Sequence, residues 1–211
     1  MTGNLIIISS PSGGGKGTLI REVLRSVSDI GYSVSYTTRQ MRAGEENGRD
    51  YFFVKLDDFK NLIDAGEFLE YAEVHGNFYG TSLNQVKAEM DLGRDIILEI
   101  DVQGAANVRR TIPEAVSIFI LPPSFAVLRE RLVARKTEKE KDLAVRLKNS
   151  FGEVRQYGEF EYVVVNDEKT QAAKSLENII LAERQKRVRQ SGAIQAIVDS
   201  FDASISDVPG E

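Results

Sequence analysis

The sequence predicts an α/β fold of three layers, in which helices cover both faces of a central parallel sheet. Four short apolar runs rich in β-branched residues are typical of strands buried on both faces. They are LIII at 5–8, IILEI at 96–100, VSIFIL at 116–121 and YVVV at 162–165. Segments with helical periodicity alternate with these runs, as the connections between parallel strands require.

The first predicted helix follows the first strand directly. Its apolar side chains recur at helical spacing: Leu19, Ile20, Val23, Leu24 and Val27. The stretch LENIILAERQKRVR near the end of the chain carries a similar apolar stripe. Each stripe gives a helix one face to bury against the sheet.

Two segments interrupt this alternation, and we interpret them as insertions into one core. The core is predicted to comprise residues 1–32, 94–123 and 157–211. Residues 33–93 contain short alternating stretches with aromatic residues and glycine turns, which predict a small β-rich unit. Residues 124–156 are charge-dense with helical patterning, which predicts a helical lid that moves over the core.

The β-rich insertion is expected to end with a helix. Ser82 and Gln85 have the spacing of a capping box, which marks the start of a helix. Gly93 then marks its end, because glycine is common just after the last helical residue.

The composition excludes several classes of function. The 211 residues are 42% hydrophobic and 28% charged, the balance of an ordinary globular protein. The net charge of −5 gives no general attraction to nucleic acids, so an anionic substrate must be met by local clusters. The basic run ERQKRVR is expected to be a solvated helix face. The absence of cysteine excludes disulfides, thiolate metal sites and a cysteine nucleophile.

The sequence also carries expectations about location and partners. The first apolar run is too short for a secretory signal and has no basic leader. No stretch reaches the roughly 18 consecutive apolar residues of a bilayer span. We therefore expect a cytoplasmic protein without membrane or nucleic-acid partners. Its oligomeric state, including a homo-oligomer, stays open.

A glycine-rich loop stands between the first strand and the first helix. SPSGGGKGT matches the phosphate-binding P-loop, whose strand, glycine loop, lysine and helix occur in this order. Glycines let backbone N–H groups converge on phosphate oxygens, and the helix adds the positive end of its dipole. Lys16 supplies a charge for the β- and γ-phosphates of a nucleotide. The expected ATP contacts are Ser12, Gly13, Gly14, Gly15, Lys16, Gly17 and Thr18.

The P-loop departs from its usual pattern at two positions. Ser10 replaces the usual first glycine, and Gly17 replaces the serine or threonine that normally binds Mg²⁺. We therefore expect Mg²⁺ to be held mainly by nucleotide phosphates and water, with help from Thr18.

A second cluster suits a smaller phosphate group. Arg39 and Arg42 lie close in sequence to Ser35, Thr37 and Tyr51. Arginine side chains at this spacing can grip a phosphate. The stretch FLEYAEVHGNFYGTS adds further polar side chains, namely Glu70, Tyr79 and Thr81.

These stretches strongly resemble the guanylate kinase family, enzymes that transfer the γ-phosphate of ATP to GMP. The resemblance covers nearly the whole chain, in PSGGGKGT, SVSYTTRQMRAGEENGRDYFF, GEFLEYAEVHGNFYGTS, ILEIDVQGA, FILPPS, RLVARKTE and VVVND. It implies a P-loop NTPase-type fold with a GMP-binding insertion and a lid. It also implies Mg-ATP as donor and GMP or dGMP as acceptor.

The same resemblance implies roles for individual residues. The residues implied to contact guanine are Ser35, Glu70, Thr81 and Asp101. Those implied to bind the GMP phosphate are Arg39, Arg42, Tyr51 and Tyr79. The chemistry of guanine agrees, because a carboxylate such as that of Glu70 can accept from both N1–H and the exocyclic amine. Adenine has no N1–H, so the same carboxylate disfavours it.

Two acidic residues end the second predicted strand. Asp101 follows it at the carboxyl end, which faces the ligand crevice in parallel sheets. Glu99 lies two residues earlier on the same face and reaches the metal region only if the strand ends early. Gly104 is expected to let the chain turn close to the substrate.

The lid carries Arg131, Arg135 and Arg146, which we expect to neutralise the transferring phosphate. The resemblance points to Arg135 and Arg146 as catalytic, alongside Lys16, Arg39 and Arg42. Lys136 replaces the glycine common after the first of these lid arginines. By resemblance, Asn166 lies near the adenine of ATP.

Two alternative functions stay open at this stage. One is a related small-molecule kinase with another acceptor, and the other is a non-catalytic guanylate-kinase-like module that binds phosphorylated peptides. The guanine-matching residues disfavour the first. The retained Lys16 disfavours the second. We expect direct in-line transfer in a ternary complex, with both insertions closing over the core.

Overall fold

The computed structural model describes residues 3–74, 76–134 and 140–204 of the chain. The strands of this part are β1 (Leu5–Ser9), β2 (Ile30–Tyr32), β3 (Tyr36–Thr37), β4 (Phe52–Phe53), β5 (Phe68–Val74), β6 (Asn77–Ser82), β7 (Asp95–Glu99), β8 (Val116–Leu121) and β9 (Tyr162–Val165). The α-helices are α1 (Lys16–Ser26), α2 (Leu56–Asp64), α3 (Leu83–Asp91), α4 (Val102–Thr111), α5 (Phe125–Ala134), α6 (Glu140–Val154), α7 (Lys169–Arg184) and α8 (Ser191–Ser204). Short 3-10 helices span Arg155–Glu159 and Arg187–Arg189.

Five strands form a parallel sheet in the order β2, β7, β1, β8, β9. In β1, Ile6 and Ile8 join a core cluster with residues of α1 and α7. Leu5 and Ile7 join the cluster on the other face, which includes residues of α3 and α4. The continuous apolar run is therefore explained by burial on both faces, and the predicted α/β fold with a central parallel sheet is confirmed.

The sequence prediction of this sheet missed one strand. The four predicted strands are present within one residue at each end, but β2 is an additional strand beside β7. It has three residues with Gly31 at its centre, so local periodicity gives no signal for it. Its conformation depends on pairing with β7, which is distant in the sequence. Helices α2 and α8 were also without a sequence prediction.

The second sheet lies between β2 and β7 in the chain and has the order β4, β3, β6, β5. Helix α3 begins after Ser82, whose hydroxyl accepts a hydrogen bond from the Gln85 amide at 3.3 Å. Gly93 follows the helix with φ of +75°, so both predicted ends of this helix are confirmed. The three-part division of the chain by residue range stays a prediction.

The segment predicted as a lid is helical in its described residues. Helix α5 buries Leu128 and Leu132, and α6 packs against α5 through stacked rings of Phe125 and Phe151, whose centroids are 5.0 Å apart. Arg135 and Lys136 lie outside the described residues. In the part of the chain that is described, no helix is long and apolar enough to cross a bilayer.

The smaller sheet depends on one buried aromatic residue from α2. Phe59 is completely buried, and its ring centroid lies 4.7 Å from that of Phe68 and 5.6 Å from that of Phe78. It is the one residue of α2 that is fully enclosed. It therefore attaches this helix to β5 and β6, the strands that carry Glu70 and Tyr79.

We predict that Phe59→Ala lowers the free energy of unfolding by about 3–5 kcal/mol, because it removes a large side chain and leaves a cavity. Urea denaturation followed by circular dichroism measures the change. Phe201→Ala is the matched control, because Phe201 is 75% exposed. A loss at Phe59 no larger than the loss at Phe201 would contradict this packing role.

Candidate active site

A cavity of about 270 Å³ opens at the carboxyl ends of β1 and β7. The glycine loop after β1 forms one wall, and residues of β5 and β6 form the opposite wall. Two residues of α6, Arg146 and Glu153, complete the lining. Open α/β sheets bind their ligands at this end of the strands.

The glycine loop adopts a conformation that other residues resist. Gly13 and Gly15 have φ of +88° and +90°, in the left-handed region. Their surroundings are also too close for side chains. A Cβ on Gly13 would lie 2.9 Å from Leu132, and one on Gly15 would lie 2.3 Å from Asn166 Nδ2. Conformation and packing both require glycine at these positions.

The loop leads into the start of α1, where no described side chain caps the helix and no acidic residue stands in the first turn. The free amides and the helix dipole make this end attractive to anions. Lys16, the first residue of α1, donates a hydrogen bond from Nζ to the Ile100 carbonyl at 2.8 Å. Its charge thus lies across the cavity floor, between the loop and the end of β7.

Glu99 is an acidic residue close to the end of the loop. Strand β7 ends at Glu99, and a Cβ on Gly17 would lie 3.4 Å from both of its carboxylate oxygens. The condition set by the sequence analysis is met, and Glu99 lines the cavity. Tyr32 donates a hydrogen bond to Glu99 Oε2 at 3.1 Å. Burial, and then the Glu99 charge, raise the pKa of the Tyr32 hydroxyl.

Thr18 lies outside the cavity lining, and its hydroxyl accepts from Arg21 Nη2 at 3.3 Å. Among the described residues, no group of three or more acidic or histidine side chains could hold a metal ion by itself. A single carboxylate with substrate phosphates and water is the usual arrangement for Mg²⁺ in phosphoryl transfer, and Glu99 fits it.

Asn166 and Arg131 support the loop from behind. Asn166 Nδ2 donates to the Gly14 carbonyl at 2.8 Å, and Arg131 Nη2 donates to the Asn166 carbonyl at 2.9 Å. Neither residue lines the cavity. Arg131 Nη1 is buried and has no hydrogen-bond partner within the described part of the protein, so it is available to an anion beside Gly15.

The opposite end of the cavity contains a positive cluster. Arg39 makes a two-pronged ion pair with Glu45, at 2.8 and 3.0 Å, and its guanidinium lies over the Tyr51 ring at 5.3 Å. The Arg42 amide donates to the same carboxylate at 2.8 Å. Glu45 thus orders both arginine positions. Burial, and then the charge of Glu99, raise the pKa of Tyr51 to about 12.

Glu70 is a buried carboxylate at the same end. The pairing of β5 with β6 places it opposite Thr81, whose hydroxyl donates to Glu70 Oε1 at 2.6 Å. Burial raises the pKa of Glu70 to about 7, and the nearby Asp101 charge adds to this, while the Thr81 hydrogen bond opposes it. Thr81 itself does not line the cavity.

Asp101 and Gly104 complete the surroundings of Glu70. Asp101 caps α4 by accepting from the Gly104 amide at 2.9 Å, and it lines the cavity. Gly104 belongs to α4, so the turn expected there is wrong. Its lack of a side chain instead makes room for Glu70, because a Cβ would lie 2.7 Å from Glu70 Oε2.

The cavity therefore brings together most of the residues that the sequence singled out. Those that line it are Ser12, Gly13, Gly14, Gly15, Lys16, Gly17, Ser35, Arg39, Arg42, Tyr51, Glu70, Tyr79, Asp101 and Arg146. Those that do not are Thr18, Thr81, Arg131 and Asn166. Arg135 falls outside the described residues. Glu45 and Glu153 also line the cavity but were not predicted from the sequence. Glu45 stands three positions after Arg42, and Glu153 stands seven positions after Arg146.

Comparison with known proteins decides the family. The family model for guanylate kinase matches residues 2–183. The chain belongs to the guanylate kinase family. Guanylate kinases are ATP:GMP phosphotransferases, so this is an enzyme of that class. Neither alternative raised by the sequence, another acceptor or a non-catalytic module, is favoured by these matches.

The relatives of this guanylate kinase match nearly their full length. A guanylate kinase of Dechloromonas aromatica is 47% identical over 182 residues, 86% of this chain and 90% of the relative. One of Psychrobacter arcticus is 44% identical over 98% of this chain and 100% of the relative. The crystal structure of guanylate kinase from Anaplasma phagocytophilum has a TM-score of 0.80 at 36% identity, covering 95% of this chain and 96% of that chain.

We predict that Glu70 of the ligand-free guanylate kinase titrates with a pKa of about 7. Thr81→Val raises this pKa further, because it removes the one hydrogen bond that favours the carboxylate. An unfolded glutamate releases its proton near pH 4.5, whereas Glu70 in the folded protein keeps its proton up to about pH 7. The contribution of Glu70 to the free energy of unfolding is therefore greatest below about pH 4.5 and is lost as the pH rises to about 7. Carbon-detected NMR of the side-chain carboxyl measures the titration, and the Glu70→Gln spectrum assigns it. Titration below about pH 5 would contradict the prediction.

Proposed function

We propose that this guanylate kinase binds ATP along the glycine loop and GMP or dGMP at the far end of the same cavity. The γ-phosphate then passes directly from one nucleotide to the other. The observation that carries this assignment is the continuity of the cavity, which joins the loop and Lys16 to the Arg39–Arg42 cluster and Glu70. Two anion-binding ends within one cavity suit a transfer between two phosphates.

At the donor end, the loop amides and the start of α1 hold the triphosphate. Lys16 exchanges the Ile100 carbonyl for the β- and γ-phosphate oxygens, which are stronger acceptors because they are charged. Arg131 Nη1 lies beside Gly15 to contact the same nucleotide. Asn166 stays the proposed neighbour of adenine, and Arg135 and Arg146 are proposed to approach the γ-phosphate from the lid.

At the acceptor end, four side chains bind the GMP phosphate: Arg39, Arg42, Tyr51 and Tyr79. The Tyr51 and Tyr79 rings pack together with centroids 5.9 Å apart, so their hydroxyls belong to one surface. The raised pKa of Tyr51 keeps its hydroxyl protonated, and therefore able to donate to a phosphate oxygen. Glu45 holds the Arg39 guanidinium in place from the other side.

The guanine base is selected by Glu70. Its carboxylate accepts from N1–H and the exocyclic amine, while Ser35 and Asp101 provide the remaining polar contacts. Thr81 acts on the carboxylate that binds the base, because its hydroxyl already donates to Glu70. Two donors from guanine favour the ionised form, so GMP binding lowers the Glu70 pKa from about 7.

The transfer itself needs charge neutralisation and exclusion of water more than covalent help from the protein. Mg²⁺ would be held by Glu99 together with the nucleotide phosphates, with Thr18 nearby, and would neutralise charge on the β- and γ-phosphate oxygens. The lid covers the cavity and keeps water from acting as acceptor. A cytoplasmic location stays a prediction of the sequence, and the oligomeric state stays open.

We predict that a coupled assay of ADP formation detects activity with GMP and dGMP and none with AMP, CMP, UMP or dTMP. Glu70→Ala lowers kcat/KM for GMP by an amount equivalent to about 1.5–3 kcal/mol, because two donors of the base lose their acceptor. The KM for ATP stays unchanged. Activity with AMP alone would overturn the assignment. So would a Glu70→Ala variant that loses as much apparent affinity for ATP as for GMP.

The pH profile provides a control for the same assignment. In the wild-type protein, kcat/KM for GMP rises as pH increases through about 7, because ionisation of Glu70 creates the acceptor. Glu70→Gln removes the part of this rise that comes from Glu70. The phosphate of GMP titrates equally with both proteins, so the difference between the two profiles isolates Glu70.

A further inference from the structure

Glu153 lines the active-site cavity, and the function described above gives it no role. It belongs to α6, the helix that also carries Arg146. Glu153 stands seven positions after Arg146, about two helical turns, so both side chains lie on the same face of the helix. This face meets the glycine loop.

Both side chains contact the same loop residue. Glu153 Oε2 accepts a hydrogen bond from the Ser12 amide at 2.9 Å. Arg146 Nη1 lies 3.4 Å from the Ser12 hydroxyl, at the long end of the hydrogen-bond range. The bond from Glu153 is the shorter of the two, and it joins positions 141 residues apart in the chain. A carboxylate that accepts from a backbone amide makes a strong, charge-assisted bond.

This contact matters because it joins α6 directly to the glycine loop of the core. Its main packing partners are its neighbours along the chain, α5 and the 3-10 helix at Arg155–Glu159. The stacked rings of Phe125 and Phe151 join it to α5. The Ser12–Glu153 bond adds a contact to the glycine loop on the same helix face that carries Arg146.

We propose that Glu153 is a positioning residue for phosphoryl transfer, which fixes α6 on the Ser12 amide so that Arg146 faces the transferring phosphate. Ser12 precedes Gly13, whose backbone is left-handed, and stands at the edge of the loop. Its amide donates to Glu153 of α6, while the amides that follow it donate to the nucleotide phosphates. The bond persists in the closed complex. This inference rests on the proposed role of Arg146.

The decisive experiment compares Glu153→Ala with Glu153→Gln in steady-state assays with ATP and GMP. Glu153→Ala lowers kcat by about 10- to 100-fold, because displacement of an aligned group by about 1 Å has effects of this size. The KM for GMP stays within about twofold of wild type, since the acceptor end lies on other elements. Glu153→Gln keeps kcat within about threefold, because its amide oxygen can still accept from Ser12.

A double-mutant cycle with Arg146→Ala tests whether Glu153 acts through Arg146. The double variant is expected to be no slower than Arg146→Ala alone, because a group that positions Arg146 has no effect once Arg146 is removed. Glu130→Ala, on the exposed face of α5, is the matched control and keeps full activity. Calorimetric binding of GMP shows that each variant retains a folded acceptor end.

Several outcomes would overturn the proposal. They are an unchanged kcat in Glu153→Ala, an equal loss of kcat in both Glu153 variants, or losses that add fully to that of Arg146→Ala. A lower KM for ATP with unchanged kcat in Glu153→Ala would instead show that the carboxylate competes with phosphate for the Ser12 amide. Wild-type activity with GMP and its loss in Arg146→Ala test the proposed function separately, so the two can fail independently.

Discussion

The close approach of neighbouring side chains to the glycine loop is the constraint on which the rest of the active site depends. Gly13 and Gly15 place backbone where no Cβ fits, and Leu132 and Asn166 fill the space directly behind it. Helix α5, the end of β9 and the start of α1 are therefore positioned relative to one another by contact with the loop. Side chains packed behind a cradle of backbone amides hold it in place, and here α5 and the residue after β9 provide that support.

Two cations of the ligand-free site are already paired with the protein's own groups. Lys16 bonds to a backbone carbonyl and Arg39 to Glu45. This arrangement avoids the cost of buried unpaired charges and holds each cation near its place of action. Glu70 differs, because burial without a cation beside it raises its pKa to about 7. Under the proposed function, the donors of a guanine base are the groups that this carboxylate lacks.

Much of the fold could be predicted from the sequence, because its main signals are local. The buried runs, the Ser82 cap and the glycine loop all depend on residues a few positions apart. The strand β2 could not be predicted, since three residues around Gly31 adopt that conformation only through pairing with β7. Among site residues, Glu45 and Glu153 were missed because their importance depends on contacts with Arg39 and Ser12. The family's motifs pointed to Lys16 and Arg39 in the sequence. The acceptors that hold these side chains, the Ile100 carbonyl and Glu45, could be found only from the structure.

Residues 33–93, which the sequence predicts to be an acceptor-binding insertion, leave and re-enter the parallel sheet at neighbouring strands. Tyr32 at the end of β2 pairs in register with Ile97 of β7, although 64 positions of sequence lie between them. The parallel sheet thus closes beneath the insertion, whatever the length of the chain that bridges the gap. All five strands of the parallel sheet lie outside residues 33–93, so the backbone pairing of that sheet does not depend on the length of this segment.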